Sequence, residues 1–304
     1  MFAMHFATLA FVTKAKEVPQ MKVLIVPNYT RQDAIEDSSR LQRWLESQGI
    51  EARWVSDNRI AQVGELNPEE YGLAISLGGD GTLLRAARTV GYSGVPIVGI
   101  SYGHLGFLTC AGPENLFDTV ANALAGELHV SRRATLDVVG RFERADGSMF
   151  EERKMALNDL ALSHGSLGGV TAFEVSVSGN HIDQLRGDGF VVSTATGSTG
   201  YALAAGGPIV TPEFGGMVCV PVAPHTIMAR AFLTAPSDVV EITVDAEQSA
   251  EACLFVDGQP LGPGARLVSV SCRRGPGDII LLDYSAQGFY GSVSRVFYGK
   301  AAKR

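Results

Sequence analysis

The hydrophobic period of this chain changes near residue 130, and that change limits the fold more than any other feature. Before it, unbroken apolar runs alternate with helical stretches. VLIVP (Val23–Pro27), YGLAISL (71–77) and VPIVGI (95–100) have the continuous apolar character of strands buried on both faces. Between them, residues 34–48 carry Ile35, Leu41, Trp44 and Leu45 at helical spacing, and Gly49 ends the stretch. TLLRAARTV (82–90) reads as a second helix, and PENLFDTVANALAGE (113–127) as a third with Pro113 near its start. Strands alternating with helices predict a doubly wound parallel sheet. After residue 130 the helical signal fades. In TAFEVSVSG, Phe173, Val175 and Val177 alternate with Glu174, Ser176 and Ser178, the period of a sheet with one covered face. The expected architecture is therefore an α/β N-terminal domain with a parallel sheet at 21–130 and a β-rich, sandwich-like C-terminal domain at 131–284. Residues 285–304 are expected to return to the first domain, and 1–20 to form a poorly ordered extension before Met21.

Charge and composition narrow the functional classes. A formal net charge of −7, with no long basic run, argues against a general nucleic-acid binder. The apolar segment Phe2–Val12 is too short to span a bilayer and lacks the preceding basic residues of a secretory signal. A cytoplasmic protein with no membrane role is the expectation. Cys110, Cys219, Cys253 and Cys272 form no CxxC pair and no zinc-type spacing, so they read as buried free thiols.

Three stretches carry candidate chemistry. LGGDGTL (77–83) places one carboxylate, Asp80, among three glycines at the end of a predicted strand, where α/β sheets hold their ligands. Its glycines allow close approach of a ligand, and the helix that follows presents unpaired amides suited to phosphate. The alternative is a tight turn capped by Asp80. There is no GK[ST] of a Walker A loop. RGDGFVVSTATGSTGYALAAGGP (186–208) collects Thr194, Thr196, Ser198 and Thr199 among glycines, and reads as a long polar loop able to bind phosphate or sugar oxygens. In MALNDLALSHG (155–165), Asn158 and Asp159 interrupt an apolar strand and need partners, either each other, a turn, or a ligand's hydroxyls.

Taken in order, GGDGT (78–82), HLGFL (104–108), ALND (156–159), RGDG (186–189), TGSTGY (196–201), AGGPIVTP (205–212), PVAPH (221–225) and DGQ (257–259) resemble the motifs of the NAD kinase family across residues 22–285. GGDGT alone also resembles phosphofructokinases and the diacylglycerol and sphingosine kinases; its combination with ND, TGST-x-Y and AGGP is specific. The resemblance implies phosphoryl transfer, a phosphotransferase with an alcohol acceptor, from ATP or polyphosphate to the 2′-hydroxyl of the adenosine ribose of NAD. It implies Asp80 as proton acceptor and Mg²⁺ held through phosphates, with no protein ligands assigned to the metal. Gly78, Gly79, Gly81 and Thr82 would bind the donor phosphates. Asn158 and Asp159 would hold the NAD riboses, Asp188 with Arg186 nearby the nicotinamide side, and Thr199, Gly200, Tyr201 and Ala204 the adenine and ribose pocket. Gln259 would approach the nucleotide, and Gly81, Arg85 and Phe107 complete the implied NAD contacts. Family members are usually homodimers or homotetramers. The sequence departs from the family pattern at Ser101 (usually Asn), Asp159 (usually Glu), Ala195 (usually Pro), Gly200 (usually Ala) and Ala231 (usually Pro). Two other readings fit the same residues: a GGDGT-type kinase acting on a lipid or sugar, and a non-catalytic NAD(H)-sensing module. A serine hydrolase does not fit, because the spacing around Ser198 is not GxSxG.

Overall fold

Val23, Leu24, Ile25 and Val26 are wholly excluded from solvent, so the run that opens the first layer must be a central strand. The computed structural model describes residues 21–55, 66–103, 105–165, 169–245, 252–284 and 288–299. The expected extension at 1–20 lies outside these. The first layer contains β1 (Lys22–Pro27), α1 (Gln32–Ser47), β2 (Glu51–Trp54), β3 (Tyr71–Gly78), α2 (Asp80–Val90), β4 (Ile97–Ser101), α3 (Leu116–Leu124) and β5 (His129–Arg133). Strands β1 to β4 pair in parallel. Leu41 and Leu45 of α1, with Leu116 and Val120 of α3, cover one face of this sheet. Leu83, Ala86, Ala87 and Val90 of α2 cover the other, packing on Leu24 and Val26.

The second layer contains β6 (Leu136–Glu143), β7 (Met149–Ala156), β8 (Asp159–Ser163), β9 (Thr171–Val177), β10 (Asn180–Gly187), β11 (Gly189–Ser193), α4 (Tyr201–Ala204), β12 (Val218–Val222), β13 (Phe232–Leu233), β14 (Val239–Val244), β15 (Cys253–Val256), β16 (Gln259–Leu261) and β17 (Arg266–Arg274). They form two six-stranded sheets in the orders β10-β9-β14-β17-β6-β7 and β13-β12-β11-β8-β15-β16. Phe142, Phe173, Phe190 and Ile242 fill the space between them. Along β8 the two-residue period sends Leu160 and Leu162 into that core and Asp159, Ala161 and Ser163 to the opposite face.

Two expectations about the layers are corrected. β18 (Ile279–Asp283) rejoins the first sheet, whose order is β2-β1-β3-β4-β18-β5, before α5 (Gly288–Tyr298). The return therefore begins at β18 rather than at 285, and the first layer keeps β5 through Arg133 instead of ending at 130. The expected parallel sheet is present from β2 through β18, and β5 adds one antiparallel strand at its edge. An apolar strand such as IILLD carries no mark of the sheet it will enter, and the mostly exposed HVSRR lacks the apolar run that identified its neighbours. The thiols also differ from expectation: Cys219 and Cys272 are buried, but Cys110 is only half-buried and Cys253 is exposed. Among the described residues, no helix is long and apolar enough to cross a membrane.

Candidate active site

Parallel strands β1, β3 and β4 finish together, with Pro27 opposite Leu77 and Gly78 opposite Ser101. From that edge the chain turns at once into α2, with Gly79 at the N-cap. A Cβ at Gly78 would lie 2.1 Å from Thr82 Oγ1, so the turn closes only around a glycine. Gly81 is exposed with open space beside it, whereas Thr82 is buried. Asp80 is the first residue of the helix rather than its cap. Its Oδ2 accepts from the Phe107 amide at 3.2 Å and its Oδ1 from the Leu108 amide at 3.4 Å. A Cβ at Gly106 would stand 2.4 Å from each carboxylate oxygen. Burial raises the proton affinity of Asp80 above that of an ordinary aspartate, while the amides of Phe107, Leu108 and Thr109 oppose the rise.

Across the cleft, the ALND segment is held from two sides. Asp257, in the turn between β15 and β16 at φ 47°, accepts from the amides of Leu157 (2.9 Å), Asn158 (2.7 Å) and Asp159 (3.2 Å). On the other side, Thr194 Oγ1 donates to the Leu157 carbonyl at 2.6 Å, and the Thr194 amide to the Asn158 carbonyl at 2.8 Å. Asn158 Oδ1 is buried and has no hydrogen-bond partner among the described residues, which leaves one acceptor for a ligand. The Asp159 carboxyl is pushed up to about 7, first by burial and then by the negative charge of Asp257.

A cavity of about 450 Å³ lies between the layers, lined by Leu84 of α2, Asp159, Ala161 and Ser163 of β8, Tyr201 of α4, and Asp257. Leu84 sits one turn after Asp80 on the same stripe of α2, so Asp80 stands at the N-terminal end of the helical face that walls the cavity. Asp80 does not itself line it. A roomier cavity of about 600 Å³, between the β6–β7 turn and residues 260–266, is rimmed by the Glu143–Arg266 ion pair and lies away from these groups.

Residues 50–128 match the family model described as ATP-NAD kinase N-terminal domain, and 157–277 match ATP-NAD kinase C-terminal domain. An NAD kinase of Caldanaerobacter subterraneus subsp. tengcongensis is 32% identical over 249 residues, 78% of this chain and 85% of that one. The chain belongs to the NAD kinase family. With an NAD kinase of Gemmatimonas aurantiaca it shares 44% identity over 187 residues, 61% of this chain and 63% of that relative. The fold matches that of yeast NADH kinase complexed with NADH, with a TM-score of 0.80 and 18% identity, covering 95% of this chain and 90% of that one.

Seen in this family frame, the implied site residues beyond 78–82 fall into four groups. Asp159 and Tyr201 share the cavity, with Asn158, Thr199 and Gly200 beside them in sequence. Arg186 and Asp188 are exposed, and Asp188 precedes Gly189, which pairs with Ser163 at the far end of β8. Gln259 and Ala204 are exposed, Gln259 directly after the cavity-lining Gly258 and Ala204 three residues after Tyr201. Arg85 and Phe107 face elsewhere. The Arg85 guanidinium donates to the Pro27 carbonyl and lies 5.5 Å from the Tyr29 ring. The Phe107 ring packs against Phe289 and Phe297 of α5 while its amide holds Asp80.

The expected long polar loop is instead built structure. Thr194, Thr196 and Ser198 are buried; Thr194 Oγ1 donates to the Leu157 carbonyl and Ser198 Oγ accepts from the Val210 amide at 3.0 Å, so these two hydroxyls brace the backbone. Asp257 and Gly106 enter the sequence reading only inside the motifs DGQ and HLGFL, with no role of their own. Asp257 had the same signal as Asp80, a lone carboxylate beside glycine between apolar runs.

Proposed function

We propose that the protein transfers the γ-phosphoryl group of ATP to the 2′-hydroxyl of the adenosine ribose of NAD, yielding NADP. One observation carries this reading: a desolvated aspartate opens the helix whose next turn walls an interlayer cavity, and the braced Asn-Asp pair brings Asp159 into that cavity from the other layer. Asp80 orients the 2′-hydroxyl and accepts its proton late, which suffices where the transition state is loose and catalysis is mostly positioning and charge neutralisation. Asn158 Oδ1 and the Asp159 carboxylate take ribose hydroxyls, and Tyr201 stacks beside the base. Arg186, Asp188 and Gln259 reach the dinucleotide from the mouth. The amides of Asp80 and Gly81, ahead of those of Thr82 and Leu83 that donate to the Gly79 carbonyl, donate to the phosphates of ATP, with Gly81 open to solvent.

Among the described residues, no three His, Cys, Asp or Glu side chains converge to hold a metal. Mg²⁺ enters in this reading on the phosphates of ATP, where it neutralises charge. Polyphosphate could fill the same donor position. The exposed Ile227 and Met228, after β12, support self-association as a homodimer or homotetramer, and the proposed compartment is the cytoplasm.

The test is to incubate the protein and Mg²⁺ with ATP or polyphosphate, against NAD or NADH, and to separate the dinucleotides chromatographically. A 2′-phosphorylated product in at least one pairing is expected; its absence from all four overturns the reading. Ionised Asp159 accepts stronger, charge-assisted bonds from hydroxyls. Because its carboxyl titrates at about 7, affinity for NAD should rise as pH rises through that value. Calorimetric titrations at roughly one unit either side would show this, and a flat affinity removes Asp159 from the ribose contact.

A further inference from the structure

A third cavity, of about 460 Å³, lies against the loop that holds Asp80, although Asp80 does not line it. Leu105, Phe107 and Leu108 form its loop wall, β5 and β18 supply another, and Phe289 of α5 and Glu213 of the second layer flank it. It shares no lining residue with the cavity of Asp159 and Tyr201. The two-residue period of β5 turns His129, Ser131 and Arg133 towards it.

Arg133 is the group that makes this cavity more than a packing gap. It is only 8% exposed. Its Nε donates to Ser131 Oγ at 3.0 Å, and among the described residues nothing accepts from its two terminal nitrogens. A guanidinium buried this far with idle donors is costly unless a ligand takes them. The other charged groups around the cavity are engaged. Asp283 Oδ1 meets His129 Nδ1 at 3.2 Å, Glu213 accepts from Thr211 Oγ1, and Arg295 Nη2 donates to Ser292 Oγ at 3.2 Å.

These groups define an occupant. A planar carboxylate takes both terminal nitrogens of a guanidinium at once. Asp283 and Glu213 repel further negative charge, which favours a single carboxylate over a dicarboxylate or a phosphate ester. Leu105, Phe107, Leu108 and Phe289 offer an apolar, largely aromatic surface for the rest of the molecule, and the volume is that of a small-molecule site. We propose that this cavity binds a small monocarboxylate with an aromatic or apolar body, its head on Arg133 and its body against the loop that holds Asp80. Such a ligand touches Phe107 and Leu108, whose amides are the donors to the Asp80 carboxylate. Occupancy therefore bears on the placing of Asp80 from outside the cavity of Asp159 and Tyr201. The proposed reaction matters to that consequence, not to the binding itself.

The experiment titrates phenylacetate into the full chain by calorimetry, beside its neutral isostere phenylacetamide and the dicarboxylate phenylmalonate. Phenylacetate should bind with a Kd of about 1 mM or tighter, and the other two about tenfold or more weakly. Arg133→Met should weaken phenylacetate by about tenfold or more, and Arg133→Lys, which keeps the charge without the fork, should recover only part of the loss. No binding to the wild type, equal binding of the amide, or full affinity in Arg133→Met overturns the proposal. Should Arg133→Met not fold, Ser292→Phe, which fills the cavity from α5, decides: retained affinity overturns the site. Phenylacetate should also shift the amide resonances of Phe107 and Leu108 and still bind when NAD is saturating. Unmoved amides, or mutual exclusion with NAD, overturn the placement. Arg133-dependent binding in a protein that makes no NADP would sink the kinase reading and leave this one standing.

Discussion

Replacing Asp80 by asparagine should lower kcat by about 10²-fold or more, the range of general-base catalysis, while NAD still binds with near-native affinity. The expectation follows from where the carboxylate sits. It is half-buried at the first turn of α2, its proton affinity is raised by burial, and both oxygens are engaged by amides of the 106–108 loop. Asparagine keeps the shape, yet it cannot take a proton, and its NH₂ would oppose the Phe107 or the Leu108 amide, donor against donor. The ribose contacts proposed for Asn158 and Asp159 lie on the opposite wall and are untouched, so the loss should fall on kcat. Steady-state kinetics at saturating ATP and NAD, with NAD affinity measured separately by calorimetry, separates the two parameters. A variant with wild-type kcat would end the role assigned to Asp80.

Asp257→Ala should have the second large effect, on stability and on binding together. The substitution strips an acceptor from three amides in a site only 9% exposed to solvent. Each buried N–H left unpaired costs roughly 1–3 kcal/mol, so a loss of about 3 kcal/mol or more is expected. The residue also sits at φ 47°, which aspartate tolerates better than alanine. With the turn unfastened, Asn158 and Asp159 lose their fixed places, and affinity for NAD should fall by about 10²-fold, the size of roughly 2.7 kcal/mol. Chemical denaturation and calorimetry measure the two effects. A variant within about 1 kcal/mol of wild type and binding NAD normally would show that Asp257 is not the clamp.

Much of this site was legible because its chemistry is carried by short motifs in sequence order. Asp80, Asn158 and Asp159 stood out as polar residues in apolar surroundings, and burial of such residues demands partners. The partners themselves were harder to read. Asp257 lies about a hundred residues from the amides it grips, and no local pattern announces a pairing across that distance. The hydroxyls of 194–198 misled in the other direction. Their density suggested a ligand loop, but at Thr194 and Ser198 the acceptors and donors are backbone groups of the same layer. Strand existence was readable from period alone, whereas sheet membership was not, as β5 and β18 show.

That last point bears on how the molecule is made. Because β18 separates β4 from β5, the sheet that emerges first from the ribosome has a vacancy that only residues near the end of the chain can fill. A nascent chain stalled before residue 279 would present the edges of β4 and β5 to any passing strand. The α/β layer should therefore mature last, although most of it is synthesised first.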